Sequence, residues 1–207
     1  REKVAKLLGA EPEEIIFTAG ATESSNFIIK GYLDYRKFYG DGRNHVITSL
    51  VEHKATLNTC KYLNGELYSN NDPTTSLFGG KKKVDRGYEA SFVGVTPDGG
   101  INVEEISSFI KDNTALVSML YVNNEIGTIS DVEAVAAICK RNNIALHSDL
   151  TQALGKIEID VKRMGIDYAS CSAHKIYGPK GIGTAFMKSD AYGIVPITAF
   201  MHGGEQE

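Results

Sequence analysis

An α/β fold built on a mostly parallel seven-stranded sheet flanked by helices is what this sequence predicts, on three observations. Apolar segments rich in β-branched residues alternate with segments of helical periodicity, the signature of strands that cross over through helices. The 207 residues, 42% of them hydrophobic, suffice for one sizeable core. The 21 glycines follow no period of three and prolines number only five, which excludes a collagen-like or low-complexity chain.

The elements follow in order. A strand at Glu14–Thr18 ends in the small residues Ala19, Gly20 and Ala21, and Thr22–Tyr39 continues as a helix. A strand at His45–Thr48 leads to a helix at Lys54–Leu63. Ser69–Gly87 then breaks the rhythm: it is polar and aperiodic and predicts a long surface loop inserted into the domain, its lysines at 81–83 solvated. Strands at Glu89–Val95 and Ala115–Tyr121 enclose a helix at Val103–Lys111. In the helix expected at Asp131–Asn142, Val132, Val135, Ala136 and Cys139 form one apolar stripe, which makes Cys139 a core residue; Cys60 is placed alike. Strands at Ile144–Ser148, Tyr168–Ser172 and Gly183–Met187 complete the sheet.

Charge and cysteine count narrow the function classes. The 22 basic and 26 acidic residues give a net charge of −4, with no like-charge block longer than the three lysines, so a nucleic-acid partner is not expected. No apolar run approaches the roughly 18 residues that span a bilayer, so no membrane partner is expected either. The opening REKVAKLL has no signal-peptide core and no methionine, and the natural start is expected upstream of it. Cys60, Cys139 and Cys171 are odd in number and widely spaced, which fits a reducing compartment and excludes a C-x-x-C metal site.

Nucleotide motifs fail. Gly80-Lys81 and Gly155-Lys156 lack the following Ser or Thr of a phosphate-binding loop, and Gly181-Ile-Gly183 reaches Phe186 where a third glycine would stand. Three other segments carry the chemistry. Thr18-Ala-Gly-Ala-Thr22-Glu-Ser joins a strand to a helix start, where the N–H groups of Ala21 and Thr22 would face an anion; the same residues suit an ordinary helix start with Thr22 as N-cap. Ile144-Ala-Leu-His-Ser-Asp149 delivers a carboxylate at a strand end. Ser170-Cys-Ser172-Ala-His174-Lys175, followed by a glycine-rich turn, places a partly buried amine after a strand, and such a lysine readily becomes a Schiff base. An anion cradle, a strand-end carboxylate and a strand-end lysine together describe a pyridoxal 5'-phosphate site.

With those residues in place, the chain resembles the IscS/NifS-type cysteine desulfurases of the class V, fold type I aminotransferase-like group. The matching motifs are Thr18-Ala-Gly-Ala-Thr-Glu-Ser-Ser-Asn26, Glu52-His53-Lys54-Ala55, Asn123-Asn124-Glu125-Ile-Gly127, His147-Ser-Asp149-Leu-Thr-Gln152, Ser172-Ala-His174-Lys175-Ile-Tyr-Gly-Pro-Lys-Gly181 and Met201-His-Gly-Gly204. The resemblance implies that Lys175 is the Schiff-base lysine, that Asp149 partners the pyridine nitrogen and that His53 stacks on the ring and shuttles protons. It further implies that Gln152 bonds the ring's phenolic oxygen, that Asn124 holds the substrate carboxylate or the cofactor edge, and that Ala21, Thr22, Ser172 and His174 bind phosphate. Ser148 stands where the family commonly has Val, a change expected to alter strand packing and not cofactor chemistry.

The implied reaction converts L-cysteine to L-alanine and passes the sulfur on as a persulfide, with a homodimer, an iron–sulfur scaffold protein and accessory sulfur acceptors as partners. The implied compartment is the mitochondrial matrix or a related organelle, or alternatively the cytoplasm. Strand alternation puts Cys171 on the face opposite Ser170 and Ser172, so none of the three cysteines suits the persulfide role. The 207 residues are therefore expected to be a large, cofactor-binding domain incomplete at both ends, with the small domain and the persulfide cysteine missing. A selenocysteine lyase, another class V enzyme or a non-catalytic interaction fragment remain as alternatives.

Overall fold

Seven strands and five helices alternate along the residues that the computed structural model describes, 1–66 and 84–203. The strands are β1 (Ile15–Thr18), β2 (His45–Ser49), β3 (Glu89–Val93), β4 (Thr114–Leu120), β5 (Ala145–Asp149), β6 (Tyr168–Ser172) and β7 (Gly183–Met187). The helices are α1 (Glu2–Leu8), α2 (Ala21–Phe38), α3 (Lys54–Leu63), α4 (Val103–Ser108) and α5 (Val132–Arg141). One sheet results, in the order β1-β7-β6-β5-β4-β2-β3, and it is parallel except for β7, which runs against both β6 and β1.

Period-two alternation sorts the strand residues onto two faces. Ile47, Val117, Met119, Leu146, Ala169, Cys171 and Phe186 face one way and pack with Ala5 and Leu8 of α1, Ile106 of α4 and Val135 and Cys139 of α5. Val46, Leu116, Tyr168, Ala185 and Met187 face the other way and pack with Ile28, Ile29, Tyr32 and Leu33 of α2 and Cys60 and Leu63 of α3. Toward the C-terminal ends of the strands this second face turns polar, through Thr48, Ser118, His147, Ser170 and Asp149. All three cysteines are buried, and Cys171 lies on the face opposite Ser170 and Ser172.

Beyond one-residue shifts at element ends, three details differ from the sequence reading. Helix α1 was not predicted: Ala5 and Leu8 are its buried side, and Gly9 closes it at φ 70, in the left-handed region that favours glycine. Helix α4 stops at Ser108, three residues early, because Phe109 caps it and the chain turns into β4. Strand β3 ends at Val93; Val95 instead makes a single bridge to Ile101. Most of the loop expected at 69–87 lies outside the described residues. Its end is anchored, with Val84 N–H bonded to Gly65 O at 2.9 Å and the Arg86 guanidinium 3.9 Å over the Tyr62 ring.

Beyond β7 the chain crosses back over α2. A Cβ on Gly31 would lie 2.7 Å from Ile197 Cγ1, so only glycine lets this segment approach, and Thr198 N–H bonds to Gly31 O at 3.1 Å. That return lays Phe200 against Phe27, ring centroids 5.5 Å apart.

Candidate active site

The parallel strands deliver their C-terminal ends to one rim of the sheet, where ligands lie in open α/β folds. A cleft of about 910 Å³ opens there, bordered by Ala21, Thr22, His53, Asn124, Asp149, Gln152, Ser172, His174 and Lys175. Every residue picked from the sequence therefore reaches the same cleft, although they come from five separate connections after β1, β2, β4, β5 and β6.

The β1–α2 loop forms one wall. Helix α2 begins at Ala21 with Gly20 as its N-cap, and no side chain accepts its first N–H groups. Thr22 is thus inside the first turn, which corrects the reading of Thr22 as N-cap. Neither the Ala21 nor the Thr22 N–H has a partner among the described residues, so the positive end of an 18-residue helix opens on the cleft. The loop is held from below by Thr18 Oγ1, which lies 2.7 Å from Ser24 Oγ and donates to Gly20 O at 3.1 Å. It is also held by Gly183, where a Cβ would sit 2.4 Å from Gly20 Cα; β7 can pass so close only as glycine.

Asp149 closes β5 and is 6% exposed. Its Oδ1 accepts the Thr151 N–H at 2.9 Å. Burial pushes its carboxyl above the usual range, while the contacts with Thr151 and the nearby His53 pull the other way. Behind it a chain of buried polar groups crosses the sheet: Ser25 Oγ donates to Ser170 Oγ at 2.9 Å, Ser170 Oγ lies 3.2 Å from His147 Nε2, and His147 Nδ1 lies 2.7 Å from Ser118 Oγ. Burial drops the His147 pKa to about 3, so this histidine is neutral and bridges the strands through both ring nitrogens.

His53 stands exposed at the rim as the N-cap of α3, its Nδ1 accepting the Ala55 N–H at 3.1 Å. That bond assigns the proton of the neutral ring to Nε2. Ser172 is buried and its Oγ lies 2.7 Å from His174 Nδ1. Lys175 belongs to a 3-10 turn, Ala173–Ile176, and is exposed. This corrects the expectation of a partly buried amine: the turn lifts the side chain off the end of β6 into open cleft. Gln152 Oε1 accepts from Lys156 Nζ at 2.9 Å, and Asn124 Nδ2 donates to Glu125 Oε1 at 2.9 Å.

Three neighbours were not singled out by sequence reasoning. Lys180 adds a second amine to the border, Phe200 closes one side, and Glu52 is buried beneath His53. Lys180 and Glu52 both lie inside motifs quoted for the resemblance, whereas Phe200 arrives only through the fold-back over α2 and has no local signal.

The donor set fits pyridoxal 5'-phosphate. Unpartnered N–H groups at the start of α2 suit a phosphate dianion. A buried carboxylate on which no Lys or Arg among the described residues acts suits a protonated ring nitrogen, and a primary amine faces the same space.

Comparison with known proteins agrees with this geometry. The sequence profile of the family Aminotransferase class-V matches residues 1–69 and 80–206. The chain belongs to this family. Among curated relatives, the cysteine desulfurases IscS of Aeromonas salmonicida and of Rickettsia typhi are each 42% identical over all 207 residues, which make up 45% and 44% of those proteins. The chain thus spans about half the length of the curated relatives it matches. Among solved structures, a NifS-like protein superposes with a TM-score of 0.81 at 38% identity, covering 99% of this chain and 49% of that one. SspA, solved in complex with cysteine, gives 0.82 at 36% identity, with 99% and 52% covered.

Proposed function

We propose that this chain is the cofactor-binding portion of a pyridoxal 5'-phosphate-dependent cysteine desulfurase, converting L-cysteine to L-alanine and passing its sulfur on for iron–sulfur cluster assembly. The observation that carries the proposal is the convergence of Lys175, Asp149 and the uncapped start of α2 in one cleft. The 42% identity to IscS proteins over the whole chain supports it. When bound, the cofactor would supply an electron sink conjugated to the substrate's Cα.

The residues divide the remaining work. The Ala21 and Thr22 N–H groups, with Ser172 and His174, would bind the phosphate and fix its position. Asp149 would accept the ring N–H and thereby keep the ring cationic. Its carboxylate is pre-aimed by the Thr151 N–H, and the neutral Ser118–His147–Ser170 chain behind it brings no competing charge. Lys175 Nζ would tether the cofactor, and its exposure leaves it free to exchange places with a substrate amine. His53 would hold a proton at Nε2 and move it at the substrate, since Nδ1 is committed to the Ala55 N–H. Gln152 and Asn124 would orient the ring oxygen and the substrate carboxylate.

The sulfur acceptor is a separate matter. Burial pushes the Cys139 thiol up to about 12 and raises Cys60 and Cys171 as well, so none of the three suits a nucleophilic thiolate. The acceptor thiol in this proposal comes from outside these 207 residues, and the homodimer, the scaffold protein and further sulfur acceptors belong to the complete protein. Three unpaired cysteines suit a reducing compartment, a mitochondrial matrix or a cytoplasm, as its setting.

The test is spectroscopic. Adding pyridoxal 5'-phosphate to the chain is expected to give a visible absorbance band that Lys175→Ala removes and Lys180→Ala leaves in place. A band that survives Lys175→Ala would overturn the assignment.

A further inference from the structure

Glu52 sits one residue before His53, on the turn between β2 and α3, and is 6% exposed. Its Oε1 accepts from Ser49 Oγ at 2.6 Å, while Oε2 is buried with no hydrogen-bond partner among the described residues. The main chain of Leu120, the last residue of β4, also acts on this carboxyl. The sheet explains why. The pairing of β2 with β4 ends at Thr48 and Ser118, after which Leu50 N–H turns to Val93 O of β3 at 3.1 Å. On the other side of β4, Tyr121 N–H bonds to Asp149 O at 3.0 Å, so the preceding amide, Leu120 N–H, points back toward the place β2 has left. The Glu52 carboxyl lies on that side of β4, near enough for the Leu120 main chain to lower its pKa. Leu120 in turn is the register partner of Asp149.

We propose that Glu52 is a positioning residue for the cleft, its buried carboxyl tying the turn that carries His53 to the strand end that carries Asp149. The inference rests on the functional reading above, because it concerns how the two groups flanking the cofactor are held apart and aligned. The carboxyl does this as a neutral acid. Desolvation is the chief cause that lifts its pKa to about 8; the nearby Asp149 adds to the rise, and the Ser49 hydroxyl and the Leu120 main chain only partly offset them. The titratable groups that couple to it are Asp149 from β5 and the Cys60 thiol from α3, with His53 next to it on its own turn; no Lys or Arg among the described residues acts on it. Two carboxylates without a cation cannot both ionise cheaply in this space, so Glu52 keeps its proton and Asp149 carries the charge.

Glu52→Gln and Glu52→Ala separate positioning from mere packing. Glutamine preserves the acceptor and the neutral state. It is expected to bind pyridoxal 5'-phosphate at pH 7 within about twofold of the unaltered chain, whereas alanine, which strands Ser49 and Leu120, binds about tenfold more weakly. Between pH 7 and 9 the unaltered chain is expected to lose affinity several-fold relative to Glu52→Gln, as Glu52 ionises. A readout without cofactor runs in parallel. A raised folded-state pKa contributes stability that is complete below about pH 4.5 and lost as pH climbs through about 8. The melting temperature of Glu52→Gln minus that of the unaltered chain should therefore grow from pH 5 to 8 and level off beyond. Parallel melting curves from pH 5 to 9, or a glutamine variant as weak as alanine at pH 7, would overturn the role of Glu52. An unaltered chain that never takes up pyridoxal 5'-phosphate would overturn the functional reading itself, while the melting comparison still reports the buried proton.

Discussion

Helix α5 begins behind Asp131, whose side chain accepts the Ala134 N–H at 3.0 Å, and buries Val132, Val135, Ala136, Ile138 and Cys139. Helix α2, on the other face of the same sheet, begins behind Gly20 with no cap and buries Ser24 and Ser25 ahead of its apolar residues. The strands repeat the contrast residue by residue. Along β5, Leu146 points toward α5, while His147 and Asp149 point toward α2; along β6, Cys171 points one way and Ser170 and Ser172 the other. On the first face α4 and α5 both start behind a capping side chain, Asn102 and Asp131, and the packing is hydrocarbon. The other leaves a helix end open and packs hydroxyls and imidazole behind a carboxylate. Stability and ligand chemistry are assigned to opposite sides of a single sheet, and strand alternation keeps them apart.

The largest effect that tests this division is Phe186→Ala. Phe186 is 1% exposed on the α5 face, and its loss should cost about 3–5 kcal/mol in urea unfolding. Pyridoxal 5'-phosphate affinity, measured where the variant is still folded, should stay within about twofold, because none of the residues assigned to the cofactor belongs to that core, although Val122 of the cleft border packs against it. An affinity loss in step with the stability loss would show that the faces are not independent.

Acid gives the next largest effect and acts on both faces. His45 bridges Thr114 Oγ1 at 2.8 Å and Ser91 Oγ at 2.9 Å, and His147 bridges Ser118 and Ser170. Burial lowers their pKa values to about 4 and about 3. The unfolded chain therefore binds more protons, so the stability these groups confer is complete above about pH 6.5 and is lost as pH falls toward 4 and 3. Each should cost about 2 kcal/mol between pH 7 and 5. A flat profile of unfolding free energy across that interval would refute the neutral buried imidazoles.

The division was only half legible in the sequence. All seven strands lie within two residues of their sequence-predicted bounds, since alternation and β-branched runs are local signals; Lys175, Asp149 and the Ala21–Thr22 cradle follow from those strand ends, whereas His53, Asn124 and Gln152 come only from the family resemblance. Helix α1 escaped notice because seven residues without a capping side chain carry little periodicity; Gly9 after Leu8 was its best signal. The sequence leaves the start of α2 as a choice between a cap and an anion cradle. Only the backbone decides it, by starting the helix at Ala21 and leaving Thr22 inside the first turn. The polar layer of Ser118, His147, Ser170 and Ser25 needs three strands and a helix in register, so no single segment reveals it. Glu52 is in the same position: its partner Leu120 is 68 residues away and becomes a neighbour only because β2 leaves β4 early.

Gly20→Asp should produce the smallest stability change and the sharpest test of the comparison, because it makes α2 start as α5 does. Gly20 has φ 160, an extended backbone that any residue adopts, and a Cβ there would meet nothing within 4 Å. An aspartate could therefore accept an N–H of the first turn and sit favourably at the helix's positive end. The ligand-free chain should gain up to about 1 kcal/mol, read as a small rise in melting temperature. The same carboxylate would occupy the N–H groups proposed for phosphate and repel it, so pyridoxal 5'-phosphate uptake should fall sharply while stability rises. Opposite signs in the two measurements would mean that the unsatisfied helix end is kept open for a ligand at a cost to the fold. If uptake were unchanged, the phosphate would have to be held elsewhere on the rim, and the contrast between the two helices would be one of stability alone.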